Sequence, residues 1–138
     1  MLKIYTDGGS RGNPGEAAYG VHILNDDKTI TGFGKRLGIA TNNVAEYSGL
    51  IAALSWIEAN RQLIGQTSGI ESYLDSQLIC RQMQGLYKVK DENLKGYYFQ
   101  AKEKEKALGI PVTYIHIPRE QNSVADKYVN EALDNNPS

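Results

Sequence analysis

The chain of 138 residues is poor in cysteine, histidine and net charge, and each shortage closes off a class of protein. Its one cysteine, Cys80, cannot form an internal disulfide and points to a reducing, cytoplasmic setting. One cysteine with two histidines, His22 and His116, argues against a zinc site. No apolar run is long enough to cross a membrane. The N-terminus, MLKIYTDGG, lacks a signal-peptide layout, because its apolar run is short and carries Lys3. A net charge of −1 does not mark a globally basic nucleic-acid binder, although binding depends on where charges sit. Lysines do collect between Lys88 and Lys106, a cluster equally consistent with a solvated helix face.

What remains is an ordinary globular composition, 41% hydrophobic and 22% charged, sized for one domain over residues 1–138. Leu2–Thr6, Ala17–Leu24 and Thr29–Leu37 read as strands, the last two joined by a turn at Asp26, Asp27 and Lys28. Thr41-Asn42-Asn43 offers capping oxygens to a helix over Val44–Ala59. Val44, Tyr47, Ile51 and Leu54 form one stripe of that helix, and Glu46, Leu50, Ala53 and Ile57 another. A short strand at Ile70–Leu74 precedes a helix over Asp75–Gln84, with Leu78 and Ile79 expected to face inward. A helix over Glu92–Leu108, a strand over Pro111–Ile117 and a helix over Asn122–Leu133 complete the pattern, and residues 134–138 read as a frayed tail. Three strands followed by alternating helices and strands predict an α/β fold with a mixed five-stranded sheet. Its first three strands run antiparallel, its last two parallel to the first, and helices flank it.

In that arrangement Asp7 and Asp75 each follow a parallel strand, Glu46 lies early in the first helix, and Asp126 opens the last helix. All four carboxylates then fall at one end of the sheet, where sites of such folds collect. Each has an ordinary alternative: Asp7 can begin a turn, Asp75 can cap a helix, and Asp126 suits a helix N-terminus. Glu46 is harder to dismiss, because it interrupts an apolar stripe. Like charges gathered this way require protonation or a bound cation. An all-oxygen set points to Mg²⁺ or Mn²⁺, and a pair of such ions suits phosphodiester cleavage. Glycines at 8, 9, 12 and 15 let backbone approach a polyanionic substrate, and the loop matches neither the Walker nor the dinucleotide pattern.

Four segments in order, IYTDGGSRGNPG, TNNVAEYSGLIAAL, LDSQLICRQMQG and PREQNSVADKYVNEAL, resemble type 1 ribonuclease H in its compact bacterial and archaeal form. The likeness runs from Ile4 to about Leu133. It implies the ribonuclease H-like sheet and metal-dependent endonucleolytic cleavage of the RNA strand of RNA–DNA hybrids, leaving 5′-phosphate and 3′-hydroxyl ends. By this resemblance Asp7 would bridge two Mg²⁺ ions, with Mn²⁺ as a substitute. Asp126 would help hold the ion at the attacking water, and Glu46 and Asp75 the ion at the leaving oxygen. Asn13, Asn42, Asn43 and Gln77 match residues that touch the minor groove and RNA 2′-hydroxyls. Thr41 matches a contact to a DNA-strand phosphate, and Asn122 an asparagine beside the active site. For Thr41 and Asn42, helix capping competes with that role.

The chain departs from the pattern in places. The loop before Asp126 is a short PREQN form without the family's histidine, which leaves Arg119 or Glu120 as auxiliary candidates. His116 is expected in the fifth strand and His22 in the second, without catalytic parts. Leu74 stands where a small hydroxyl residue is common. The basic protrusion after Gly85 is replaced by LYKVKD, so Lys88, Lys90 and Lys95 would supply a smaller, salt-sensitive patch. No separate hybrid-binding domain is expected ahead of residue 1, and nothing in the pattern calls for an obligate dimer, so a monomer is expected. Two other readings stay open: a nuclease of this fold acting on DNA junctions or transposon ends, and a binding module that has lost catalysis.

Overall fold

A computed structural model of the chain describes residues 1–135, so the last three residues of the expected frayed tail lie outside the described residues. The chain begins with three strands, β1 (Leu2–Arg11), β2 (Gly15–Asn25) and β3 (Lys28–Ala40). They are paired antiparallel, β1 with β2 and β2 with β3. Asp26 and Asp27 both have positive φ, 49° and 66°, the conformation a tight two-residue hairpin turn demands. The later strands are β4 (Ile70–Leu74) and β5 (Val112–His116). Strand order is β3-β2-β1-β4-β5, with β4 parallel to both β1 and β5. This is the predicted mixed sheet.

β1 is longer than the sequence pattern suggested. Its parallel pairing to β4 covers only Leu2–Thr6, whereas its antiparallel pairing to β2 continues to Arg11. Asp7 is therefore not past the strand. It is the first residue beyond the end of β4's ladder, still held by β2 on one side.

The helices are α1 (Asn42–Ala59), α2 (Arg61–Ile64), α3 (Gln77–Met83), α4 (Glu92–Leu108) and α5 (Ser123–Asp134), with a 3₁₀ turn at Arg119–Asn122 before the last. α1 begins at Asn42 because the Thr41 hydroxyl accepts the Val44 N–H at 3.2 Å. It lies across one face of the sheet and buries Tyr47, Leu50, Leu54 and Ile57 against Leu2, Ile4, Val21 and Ile23. Full burial of each such side chain contributes about 1.5–3 kcal/mol, which makes α1 the centre of the core. α2 had no signal in the apolar pattern, since Ile64 is its one buried residue. α3 starts later than expected, capped by Ser76, whose hydroxyl accepts the Ile79 N–H. Of the pair expected inside, Ile79 is buried but Leu78 is exposed. The inward stripe is Ile79 with Met83, one turn apart, and Leu78 lies off it. α4 ends on Gly109 in the left-handed conformation, as its position in the sequence suggests.

Two close approaches set where the helices start relative to the sheet. A Cβ on Gly8 would overlap the carbonyl of Ala45 in α1, and one on Gly20 would overlap the carbonyl of Ala125 in α5. Glycine at these two places lets the first turns of both helices rest on strand backbone. The next residue in each helix is Glu46 or Asp126.

Candidate active site

Asp7 projects from β1, Asp75 follows β4, Glu46 comes from the second turn of α1 and Asp126 from the first turn of α5. Carboxylate oxygens of Asp7, Glu46 and Asp75 all lie within 4.8 Å of one another. Asp126 is near enough to Asp7 to act on its proton affinity through a side-chain hydrogen bond. The four open onto a cleft of about 580 Å³ whose walls include Gly9, Ser10, Arg11, Asn42 and Asn130.

The electrostatics are those of a charge cluster partly withdrawn from water, with Asp7 and Glu46 buried and Asp75 and Asp126 half-buried. The Gly8 N–H donates to Asp7 Oδ1 at 2.9 Å and to Glu46 Oε1 at 3.2 Å. Glu46 Oε2 is buried with no hydrogen-bond partner among the described residues. Burial pushes the Asp7 carboxyl up to about 7, with the Asp75 charge adding to the rise. Burial, then the charges of Asp7 and Asp75, pushes Glu46 well above the usual carboxylate range. An unpartnered carboxylate oxygen beside two further carboxylates, with oxygen as the only donor atom, fits a hard divalent cation.

The amide candidates fall into three groups. Asn42 and Asn43 line the cleft, as does Arg119. Asn42 Oδ1 accepts from the Ser10 N–H at 2.8 Å and the Ser10 hydroxyl at 3.2 Å, which leaves its NH₂ to donate. Asn13, Thr41 and Gln77 stand outside the cleft walls. Asn13 Oδ1 accepts the Asn42 N–H at 3.1 Å, so the glycine-rich hairpin end is tied to the start of α1, and the Asn13 amide nitrogen has no partner among the described residues. Gln77 is exposed at the start of α3.

Asn122 is 1% exposed, and its Nδ2 donates to the Thr6 carbonyl at 2.8 Å and to Asp75 Oδ2 at 3.0 Å. It braces Asp75 from inside. Glu120 is exposed and outside the cleft. His22 lies in β2 against Thr29, and His116 ends β5 with its ring 3.3 Å from the Asp75 carbonyl.

Sequence reasoning passed over Arg11 and Asn130. Arg11 was hidden because β1 seemed to end at Thr6. Asn130 was hidden because only its i+4 spacing from Asp126 marks it; its Nδ2 lies 3.3 Å from Asp126 Oδ2.

The family described as reverse transcriptase-like matches residues 5–132. A solved structure, LC11-RNase H1 in complex with an RNA/DNA hybrid, superposes with a TM-score of 0.88 at 42% identity, covering 97% of each chain. The chain belongs to the type 1 ribonuclease H family. Among its relatives, ribonuclease HI of Halobacterium salinarum is 40% identical over 134 residues, which is 96% of this chain and 64% of that protein. The bifunctional protein Rv2228c of Mycobacterium tuberculosis is 41% identical over 133 residues, 95% of this chain. The chain spans 35% of the length of that relative.

Proposed function

We propose that this protein is an endonuclease that hydrolyses the RNA strand of RNA–DNA hybrids, leaving 5′-phosphate and 3′-hydroxyl ends. The observation that carries the reading is the convergence of Asp7, Glu46 and Asp75 within 4.8 Å on the wall of a cleft that Asp126 also lines. Asp7, Glu46, Asp75 and Asp126 are the residues that would hold Mg²⁺, two ions with substrate in place, or Mn²⁺ instead. Bound there, such ions supply the positive charge the carboxylates lack, a lowered pKa for the attacking water and stabilisation of the leaving oxygen.

The chain's own groups prepare the site. The Gly8 N–H orients Asp7 and Glu46 together, and the Asn122 amide fixes the Asp75 carboxylate. Asn13, Asn42, Asn43 and Gln77 offer amide donors along the cleft and its rim, suited to the 2′-hydroxyls and minor-groove acceptors that distinguish an RNA strand. The Thr41 hydroxyl, which caps α1 as an acceptor, keeps its own proton to give to a DNA-strand phosphate. Arg119, on the cleft wall, or Glu120, on the same turn, would serve as the auxiliary group in the absence of the family's loop histidine. No helix among the described residues is long and apolar enough to cross a membrane. With its one thiol, Cys80, buried and unpaired, the protein is read as a cytoplasmic monomer.

Labelled RNA–DNA hybrid, duplex RNA and duplex DNA incubated with Mg²⁺ and with Mn²⁺ test the assignment. RNA fragments from the hybrid are expected, and Asp7→Asn abolishes them. Intact RNA under both metals would overturn the reading, and cleavage of duplex DNA alone would move the protein to another nuclease class.

A further inference from the structure

β1 carries on past the carboxylates. Its last residue, Arg11, stands on the cleft wall four positions beyond Asp7. At roughly 3.3 Å per residue, that is about 13 Å further along the strand. One strand of a duplex advances about 3.4 Å of helix axis per phosphate, so this distance spans several phosphates. A guanidinium here would meet the bound strand away from the bond being cut. Facing it, α5 presents Asp126, Val129, Asn130 and Leu133 to the cleft at helical spacing. The helix ends at Asp134, whose Oδ1 accepts from Arg11 Nη2 at 2.6 Å. Asp134 itself is not on the cleft wall, so the ion pair holds the Arg11 guanidinium at the cleft's edge, with the two side chains 52% and 64% exposed.

This cleft must attract a polyanion although four carboxylates line it. Among the described residues, Arg11 and Arg119 are the cationic side chains on its walls. An ion pair this exposed contributes little to stability. A guanidinium holds a phosphate with two parallel, charge-assisted hydrogen bonds. A phosphate group can therefore displace Asp134 at small cost.

We propose that Arg11 is a phosphate contact for the strand being cut, and that Asp134 is its resting partner, competing with substrate for the same guanidinium. The proposal rests on the hybrid-nuclease reading.

Hybrid affinity is measured by fluorescence anisotropy on an Asp75→Asn background that does not cut, across a salt series. Steady-state cleavage with Mg²⁺ is measured on the unmodified background. Arg11→Ala is expected to weaken binding about 3- to 10-fold and to flatten the slope of log K against log salt by about one. It raises KM by more than it lowers kcat. Asp134→Asn is expected to tighten binding a few-fold, and that gain disappears when Arg11→Ala is also present. Unchanged affinity and slope in Arg11→Ala, in a protein that still cleaves hybrid, would overturn the proposal and leave the nuclease reading standing. An equal gain from Asp134→Asn with and without Arg11 would show that Asp134 acts only as diffuse negative charge, and would overturn the pairing. Parent protein that neither binds nor cuts hybrid would sink both readings.

Discussion

Neutralising Asp7 is expected to stabilise the metal-free protein while destroying its activity, and the gain should depend on pH in a defined direction. Burial and the charge of Asp75 raise the folded-state pKa of Asp7 from 3.8 to about 7. A carboxyl raised on folding binds its proton more tightly in the folded chain than in the unfolded one. Its favourable contribution is present at acid pH and is lost as pH rises through about 7, where the ionised group is left beside Glu46 and Asp75. A shift of this size corresponds to about 4 kcal/mol above pH 8 and about 2 kcal/mol at pH 5.

Asp7→Asn removes that cost at every pH and keeps an oxygen for the Gly8 N–H. In a chain of 138 residues each kcal/mol moves Tm by about 3–4 °C. Thermal melts in EDTA at pH 5, 7 and 9 should therefore show the variant ahead of the parent by about 10 °C or more at pH 9. The lead should shrink as pH falls. Added Mg²⁺ should raise the parent's Tm at pH 9 and close much of the gap, because the cation offsets the same repulsion. A variant less stable than the parent at pH 9 without metal, or a lead that does not change with pH, would refute the argument that burial and neighbouring carboxylates make the Asp7 charge costly.

Other changes probe the scaffold around the carboxylates. Asn122→Ala removes the donor to Thr6 and Asp75 and leaves Asp75 Oδ2 without it; Mg²⁺ affinity measured by calorimetry should weaken, together with a stability loss of about 1–3 kcal/mol in urea melts. Gly20→Ala would drive a methyl into the Ala125 carbonyl; a cost of about 1–3 kcal/mol and a large drop in kcat are expected, since α5 and Asp126 must shift together. Leu50→Ala empties a fully buried position under the sheet, and denaturant unfolding should show a loss of about 2–5 kcal/mol with the site chemistry otherwise intact. Thr41→Val deletes the α1 cap, which should cost about 0.5–2 kcal/mol in the same assay.

Much of the scaffold was legible because the chain repeats its intentions locally. Ile70–Leu74 and Glu92–Leu108 were bounded correctly by flanking glycine, proline and polar residues, whose backbone limits act within a few positions. Glu46 announced itself by breaking an apolar stripe. Features with no local signature were harder to see. Leu78 and Ile79 are adjacent and equally apolar, and only the way α3 settles on β5 and α4 puts one inside and the other in water. Arg11 looked like a loop residue because its strand conformation is imposed by Glu16 across the ladder, not by its own neighbours. Asn122 was expected beside the active site, and only the fold shows that its buried amide holds Asp75 from behind.

By itself, then, the order of residues determined the sheet's pattern, the helices that cover it and which carboxylates were out of place. Those are consequences of periodicity, backbone preference and chain direction, all of which act over short stretches. Only the tertiary structure decided that Asp75 and Asp126 would stand close enough to Asp7, and Asp7 and Asp75 close enough to Glu46, to raise the proton affinity of Asp7 and Glu46. It also decided that Arg11 would end up against Asp134, 123 positions away along the chain. Distances of a few ångströms between remote segments are set by how backbones pack, here at Gly8 and Gly20, and charge effects that fall off with distance take their size from that packing.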